Sequence, residues 1–115
     1  IMNYDLIAEY GQNGVCVTCT LKGGNVNEHQ DGRSKGNLSA LRCNILTRAA
    51  DIGGVLQVGG KIVQVDTGEL HCYLASEHRH SVTEVQGDTS RVLWQFGAYV
   101  PKEDWNSGLI KFGNI

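Results

Sequence analysis

The sequence predicts an α+β fold in which one amphipathic helix packs on an antiparallel, barrel-like or strongly twisted β-sheet. Two observations predict it. Apolar residues recur at three- and four-residue steps over 38–52, which is the periodicity of one helix face. After residue 54, short alternating segments follow one another between glycine-rich turns, as is typical of antiparallel strands. A chain of 115 residues can bury one core, so we interpret 1–115 as a single domain.

The predicted helix is bounded by residues that favour helix ends. Asn37 is a good N-cap, and Gly53-Gly54 provides the positive φ angles that end helices. The apolar stripe between them consists of Leu38, Leu41, Ile45, Ala49 and Ile52.

The predicted strands begin at 15–21, where Cys16 and Cys19 have the Cys-x-x-Cys spacing of a zinc knuckle. Residues three apart on a strand point to opposite faces, so these two thiols are not expected to share a metal. Gly59-Gly60 indicates a two-residue hairpin turn. Further strands are predicted at 55–58, 61–65, 69–75, 81–85, 91–100 and 109–112, with a helical turn at 102–105 and a short helical turn or edge strand at 3–10.

The most apolar predicted strand face lies on 91–100. Its alternate residues include Trp94 and Phe96, which we therefore expect at the centre of the core, beneath the helix.

Residues 22–37 lack periodicity and predict a long loop, which in a compact domain is functional or mobile. We expect a binding surface made by this loop and by a histidine-rich turn at 76–81, with a solvated loop as the alternative. We add Trp105, an aromatic residue outside the predicted core, because exposed aromatic residues are common in protein interfaces. The candidate binding residues are Asn25, His29, Arg33, Lys35, His78, His80 and Trp105.

The sequence predicts neither a metal site nor a cofactor. His78 and His80 would share a strand face, but they could coordinate zinc only if further ligands approached. The Gly-Gly pairs lack the Lys-Ser/Thr ending of a phosphate-binding loop, and no Gly-x-Ser-x-Gly elbow is present.

Three polar residues are candidates for acid–base catalysis. Glu69 and His71 share one face of a predicted strand, and Arg91 begins a strand that could pair nearby. A carboxylate, an imidazole and a guanidinium on a concave sheet face can cleave RNA. The predicted architecture resembles, without a shared motif, the small fungal ribonucleases and the secreted effectors built on that scaffold. The sequence favours solvated polar residues over catalysis at these positions.

The four cysteines permit two disulfides or four buried free thiols. Cys19 and Cys72 fall on predicted core faces and form the expected pair, which leaves Cys16 with Cys43. Disulfides would favour a secreted protein.

Charge and hydropathy exclude two classes of partner from our expectations. The net charge is −2 without a basic stripe, so we do not expect nucleic-acid binding, and no apolar run has membrane-spanning length. We expect a non-catalytic protein that binds another protein, and the class that we favour is a small secreted effector or toxin-like protein. The alternatives are a viral or phage structural or connector protein, located in the cytoplasm or the virion, and a ribonuclease-like or metal-dependent hydrolase. The sequence predicts no oligomeric state.

Overall fold

The computed structural model describes residues 14–32, 34–105 and 108–114. In these ranges the chain forms mainly β-strands, and a short 3-10 turn lies at Lys102–Asp104. The strands are β1 Val15–Thr20, β2 Val26–His29, β3 Ser34–Lys35, β4 Leu38–Arg48, β5 Leu56–Val58, β6 Lys61–Val63, β7 Glu69–Leu74, β8 His80–Val82, β9 Arg91–Pro101 and β10 Leu109–Asn114.

The strands form two antiparallel sheets. The larger sheet has the order β1-β9-β4-β7-β10, with the short β3 paired to β4, and the smaller sheet has the order β2-β8-β5-β6. The long strands β4 and β9 pair along most of their length at the middle of the larger sheet. The described residues therefore form two sheets, without the helix layer of an α+β protein.

The predicted amphipathic helix over 38–52 is wrong, because residues 38–48 form strand β4. β4 pairs with β9 along one edge and with β7 along the other. Both of its faces are buried, with Leu41 and Cys43 on one side and Ala40 and Leu46 on the other. A strand buried on both faces has apolar residues at odd and even positions, and such a run also satisfies helical spacing.

The glycines that we interpreted as a helix end instead lie in the connection between β4 and β5, where Gly53 forms an isolated antiparallel bridge with Val85. Gly53 and Gly54 have φ angles of +75° and +64°. A Cβ atom on Gly53 would lie 1.9 Å from the backbone oxygen of Glu84. Only glycine fits this position, because both the positive φ and the close approach of the neighbouring backbone exclude a side chain.

Most of the strand predictions are confirmed. β1 alternates as expected, and its two cysteines point to opposite faces. Gly59-Gly60 joins β5 to β6 in a two-residue hairpin, and β7, β9, β10 and the turn after Pro101 lie where predicted. The predicted loop at 22–37 is partly wrong because it contains β2 and β3, while the prediction for 3–10 lies outside the described residues.

The two faces of the larger sheet have different surroundings. On the inner face, which we define as the face towards the smaller sheet, Tyr73 and Ala75 pack against Leu56, Val58 and Val82. The opposite, outer face has its own buried cluster, with Trp105 packed against it; the cluster consists of Leu41, Cys43, Cys72, Leu74 and Val100.

Trp94 also lies on the outer face and is 47% exposed, so the expectation that it occupies the core centre is wrong. Phe96, two residues further along the same face, packs at the border of the outer cluster and is partly buried.

Candidate functional site

The space between the two sheets is unusually polar. Strands β1, β4 and β9 turn hydroxyl, amide and guanidinium groups inward, where an apolar core would be expected. A cavity of about 190 Å³ lies there, and residues of both sheets line it. Its polar lining includes Thr18, His29, Arg42, Asn44, His80 and Gln95.

Two histidines that line this cavity also contact an aspartate. β2 pairs with β8 so that His29 lies directly opposite His80, and the two ring centroids are 4.3 Å apart. Asp31 follows β2 by two residues, and its backbone N–H donates to the carbonyl oxygen of Ala75 at 2.9 Å. We refer to His29, Asp31 and His80 as the His–Asp cluster.

One oxygen of Asp31 faces both imidazoles. Its Oδ1 lies 3.3 Å from His29 Nε2 and 3.5 Å from His80 Nε2. The other oxygen, Oδ2, accepts a hydrogen bond from Arg42 Nη2 at 2.8 Å. Arg42 belongs to β4, so this ion pair connects the smaller sheet's loop to the larger sheet.

The other ring nitrogens of the cluster have fixed roles. His29 Nδ1 lies 2.7 Å from the carbonyl oxygen of Asn27, and His80 Nδ1 lies 2.9 Å from that of His78. A carbonyl oxygen only accepts, so each Nδ1 carries the hydrogen and donates it. In the neutral imidazole, Nε2 then presents its lone pair to the cluster.

The cluster is buried on one side and open on the other. The His80 and Asp31 side chains are 3% and 7% exposed, whereas that of His29 is 40% exposed. His80 Nε2 is buried and has no hydrogen-bond partner. Solvent and small solutes therefore reach the cluster past His29.

The sequence predicts binding roles for His29 and His80 separately and assigns none to Asp31. The structure brings the predicted 22–37 loop and 76–81 turn together, since Gln30 Nε2 donates to the carbonyl oxygens of Ser76 and Glu77 at 3.2 Å each. The signal that could have found Asp31 is its two-residue spacing from His29, which repeats the spacing of His78 and His80.

The candidate catalytic residues lie in the interior, although the sequence placed them on a wet outer face. His71 has no exposed surface, and both of its ring nitrogens are buried without a hydrogen-bond partner. Burial lowers the pKa of His71 to about 4, assisted by the positive charges of Arg91 and Lys111. Glu69 faces Lys111 at 3.7 Å, and Arg91 is buried. A ring enclosed in this way is inaccessible to a polymeric RNA substrate.

The remaining binding candidates are spread over the molecule. Asn25 and Lys35 are exposed, and His78 is half-buried. Trp105 packs on the outer core cluster, and its indole nitrogen is buried without a hydrogen-bond partner. Arg33 lies outside the described residues.

All four cysteines are free thiols, and the pairs expected from the sequence do not face each other. β9 and β4 lie between Cys19 on β1 and Cys72 on β7. Cys16 points to the inner face towards Gln95, whereas Cys43 lies on the outer face directly opposite Cys72. The neighbouring thiol of Cys72 and burial raise the pKa of Cys43, which keeps it protonated.

The outer face of the larger sheet carries an exposed apolar surface. Val17 lies opposite Trp94, Trp94 opposite Ile45, and Ile45 opposite Leu70, so one row crosses four strands. Val17 is 53% exposed, and its neighbour Val15 is 40% exposed. We refer to Val15, Val17, Ile45, Leu70 and Trp94 as the outer patch.

Comparison with protein-family models, with curated proteins and with solved structures finds no match to this chain. Among the described residues, no helix has the length and apolar character that a membrane span requires.

Proposed function

We propose that this chain is a non-catalytic protein-binding domain whose contact surface is the outer patch. The observation that supports the proposal is the pairing of Val17 with Trp94, two apolar side chains that lie opposite each other and are 53% and 47% exposed. Contiguous exposed apolar surface marks interaction sites, and tryptophan is enriched among the residues that dominate binding energy.

The partner that this surface fits best is a second copy of the chain. None of the five outer-patch residues carries a charge, so two patches can meet without like-charge repulsion. A two-fold contact uses the same surface on both subunits and needs only self-complementarity. β1 is also an edge strand within the described part of the larger sheet, and it borders the patch.

The burial of the catalytic candidates supports binding over catalysis. His71 and Arg91 face the space between the sheets, where a macromolecular substrate has no access.

The state of the cysteines indicates which cellular compartment the protein occupies. The four free thiols support an assembly or connector component kept in a reducing compartment over a disulfide-tied secreted effector.

Sedimentation equilibrium over a concentration series tests the proposal. We expect the wild-type chain to associate as concentration rises. Trp94→Ser should weaken association by about 1,000-fold, because a two-fold contact loses this residue from both subunits at about 2 kcal/mol each. Ile62→Ser is the matched control, because Ile62 is an apolar residue on the smaller sheet that is even more exposed, at 65% against 47% for Trp94.

Two results would contradict the proposal. One is a wild-type chain that stays monomeric at about 1 mM, the concentration that corresponds to a binding free energy of about 4 kcal/mol. The other is association that Ile62→Ser weakens as much as Trp94→Ser does.

A further inference from the structure

We infer that the His–Asp cluster is a binding site for a divalent transition-metal ion, and that zinc is the ion that its ligand chemistry fits best. Two imidazole nitrogens and one carboxylate oxygen are a ligand set that zinc accepts, with its fourth position left to water. The inference stands on the cluster alone and is independent of the outer patch.

The two distances from Asp31 to the imidazoles match those between ligands of one ion. Two ligands at about 2.0–2.1 Å from zinc in tetrahedral geometry lie about 3.3–3.4 Å from each other. Asp31 Oδ1 lies 3.3 Å from His29 Nε2 and 3.5 Å from His80 Nε2. All three candidate ligand atoms lie within 4.8 Å of one another, so modest movement of the exposed His29 ring closes the set.

The hydrogen bonds around the cluster prepare each ligand. Both histidines donate Nδ1–H to a backbone carbonyl, which leaves the neutral Nε2 lone pair free for a metal. Arg42 holds the second oxygen of Asp31 and orients the carboxylate. Metal-binding histidines and carboxylates are normally supported by partners of this kind.

One buried atom gives an independent indication of a ligand. His80 Nε2 points into the cluster, belongs to a side chain that is 3% exposed, and has no hydrogen-bond partner. A buried polar atom without a hydrogen-bond partner destabilises a folded protein. A metal ion bound between this nitrogen and Asp31 Oδ1 would satisfy it.

The site also predicts a limited affinity. Arg42 already neutralises the charge of Asp31, so the two neutral imidazoles and the ion pair present no excess negative charge to a cation. The open side at His29 allows the ion to exchange with solvent. We therefore expect reversible binding, without the permanent retention that sites with several thiolates show.

Calorimetric titration of the chelator-treated chain with Zn²⁺ tests the inference. We expect one ion per chain, and His29→Asn to weaken binding by on the order of 100-fold, at the upper end of losses seen even for residues that only support a ligand. His29 is chosen because its side chain is 40% exposed, so the variant should fold. Circular dichroism checks that it does.

His78→Asn is the matched control, since this half-buried histidine lies two residues before His80 but is not part of the cluster. Cys19→Ser removes the exposed thiol, which could itself bind zinc. Both controls should bind as the wild type does. Ring-nitrogen NMR should show Zn²⁺ shifting the Nε2 signals of His29 and His80, while both Nδ1 atoms remain protonated.

The inference is overturned if the wild type shows no stoichiometric Zn²⁺ binding at concentrations up to about 100 µM, equivalent to a free energy near 5.5 kcal/mol. It is equally overturned if His29→Asn binds as the wild type does, or if the loss of binding follows His78→Asn or Cys19→Ser.

Discussion

The fully buried His71 should make this protein sensitive to acid. Its pKa lies near 4 in the folded chain, whereas the ordinary value is 6.5. Between these values the unfolded chain holds a proton that the folded chain lacks. The free energy of unfolding therefore falls as the pH drops from about 6.5 towards 4. The difference of the two pKa values corresponds to a loss of about 3 kcal/mol between pH 7 and pH 4.

His71→Leu removes this titration while keeping an apolar group of similar size in the space. At pH 7 the variant should be within about 1 kcal/mol of the wild type, because it also removes two buried nitrogens that lack partners. Between pH 7 and pH 4 the free energy of unfolding of the variant, compared with that of the wild type, should rise by about 3 kcal/mol.

Urea unfolding followed by tryptophan fluorescence at pH 7, 5.5 and 4 measures both chains. Other titrating groups are common to both, so the difference between their pH dependences isolates His71. NMR titration of the ring gives a direct check, since the ring should stay neutral down to about pH 4 in the folded chain. A difference in pH dependence below about 1 kcal/mol, or a ring that protonates near its ordinary 6.5, would refute the reasoning.

Two further predictions concern the connection between β4 and β5 and the thiols. Gly53→Ala should destabilise the chain by about 2–4 kcal/mol in urea unfolding, because it combines positive φ with a clash against Glu84. Gly59 also has a positive φ, but a Cβ atom there would have no other atom within 4 Å, so Gly59→Ala should lower the free energy of unfolding by only about 1 kcal/mol. Equal losses of stability in the two variants would contradict the predicted clash at Gly53. In alkylation of the native chain followed by mass spectrometry, Cys19 should react first, and the two buried cysteines of β4 and β7 only on unfolding. Early modification of that buried pair would argue against the described packing.

Strand β4 shows why the local sequence pattern was not sufficient to predict the conformation of this segment. Its residues satisfy a helical stripe through Leu38, Leu41 and Ile45, and they also satisfy a strand with apolar residues on both faces. The sequence does not state that β7 and β9 will pair on either side of it. Pairing along both edges satisfies the backbone of β4 and buries both of its faces, and this tertiary context decides the conformation.

The candidate site was only partly predictable for a similar reason. The His-x-His spacing and the polar 22–37 segment drew attention to His29 and His80. Their approach depends on the antiparallel pairing of β2 with β8, two strands that are some fifty residues apart in the chain. Arg42 completes the arrangement from the other sheet, and no local pattern connects it to Asp31.

The amino-acid sequence by itself determined the elements whose signal is local: the alternation of β1, the Gly59-Gly60 hairpin, and the strands β7 and β9. Alternation and glycine turns depend only on neighbours in the chain, so they can be read without knowing the fold. Only the tertiary structure decided which face of the larger sheet turns inward. It placed polar groups beside apolar ones against the smaller sheet and left Trp94 exposed, because sheet packing is set by contacts between residues distant in sequence.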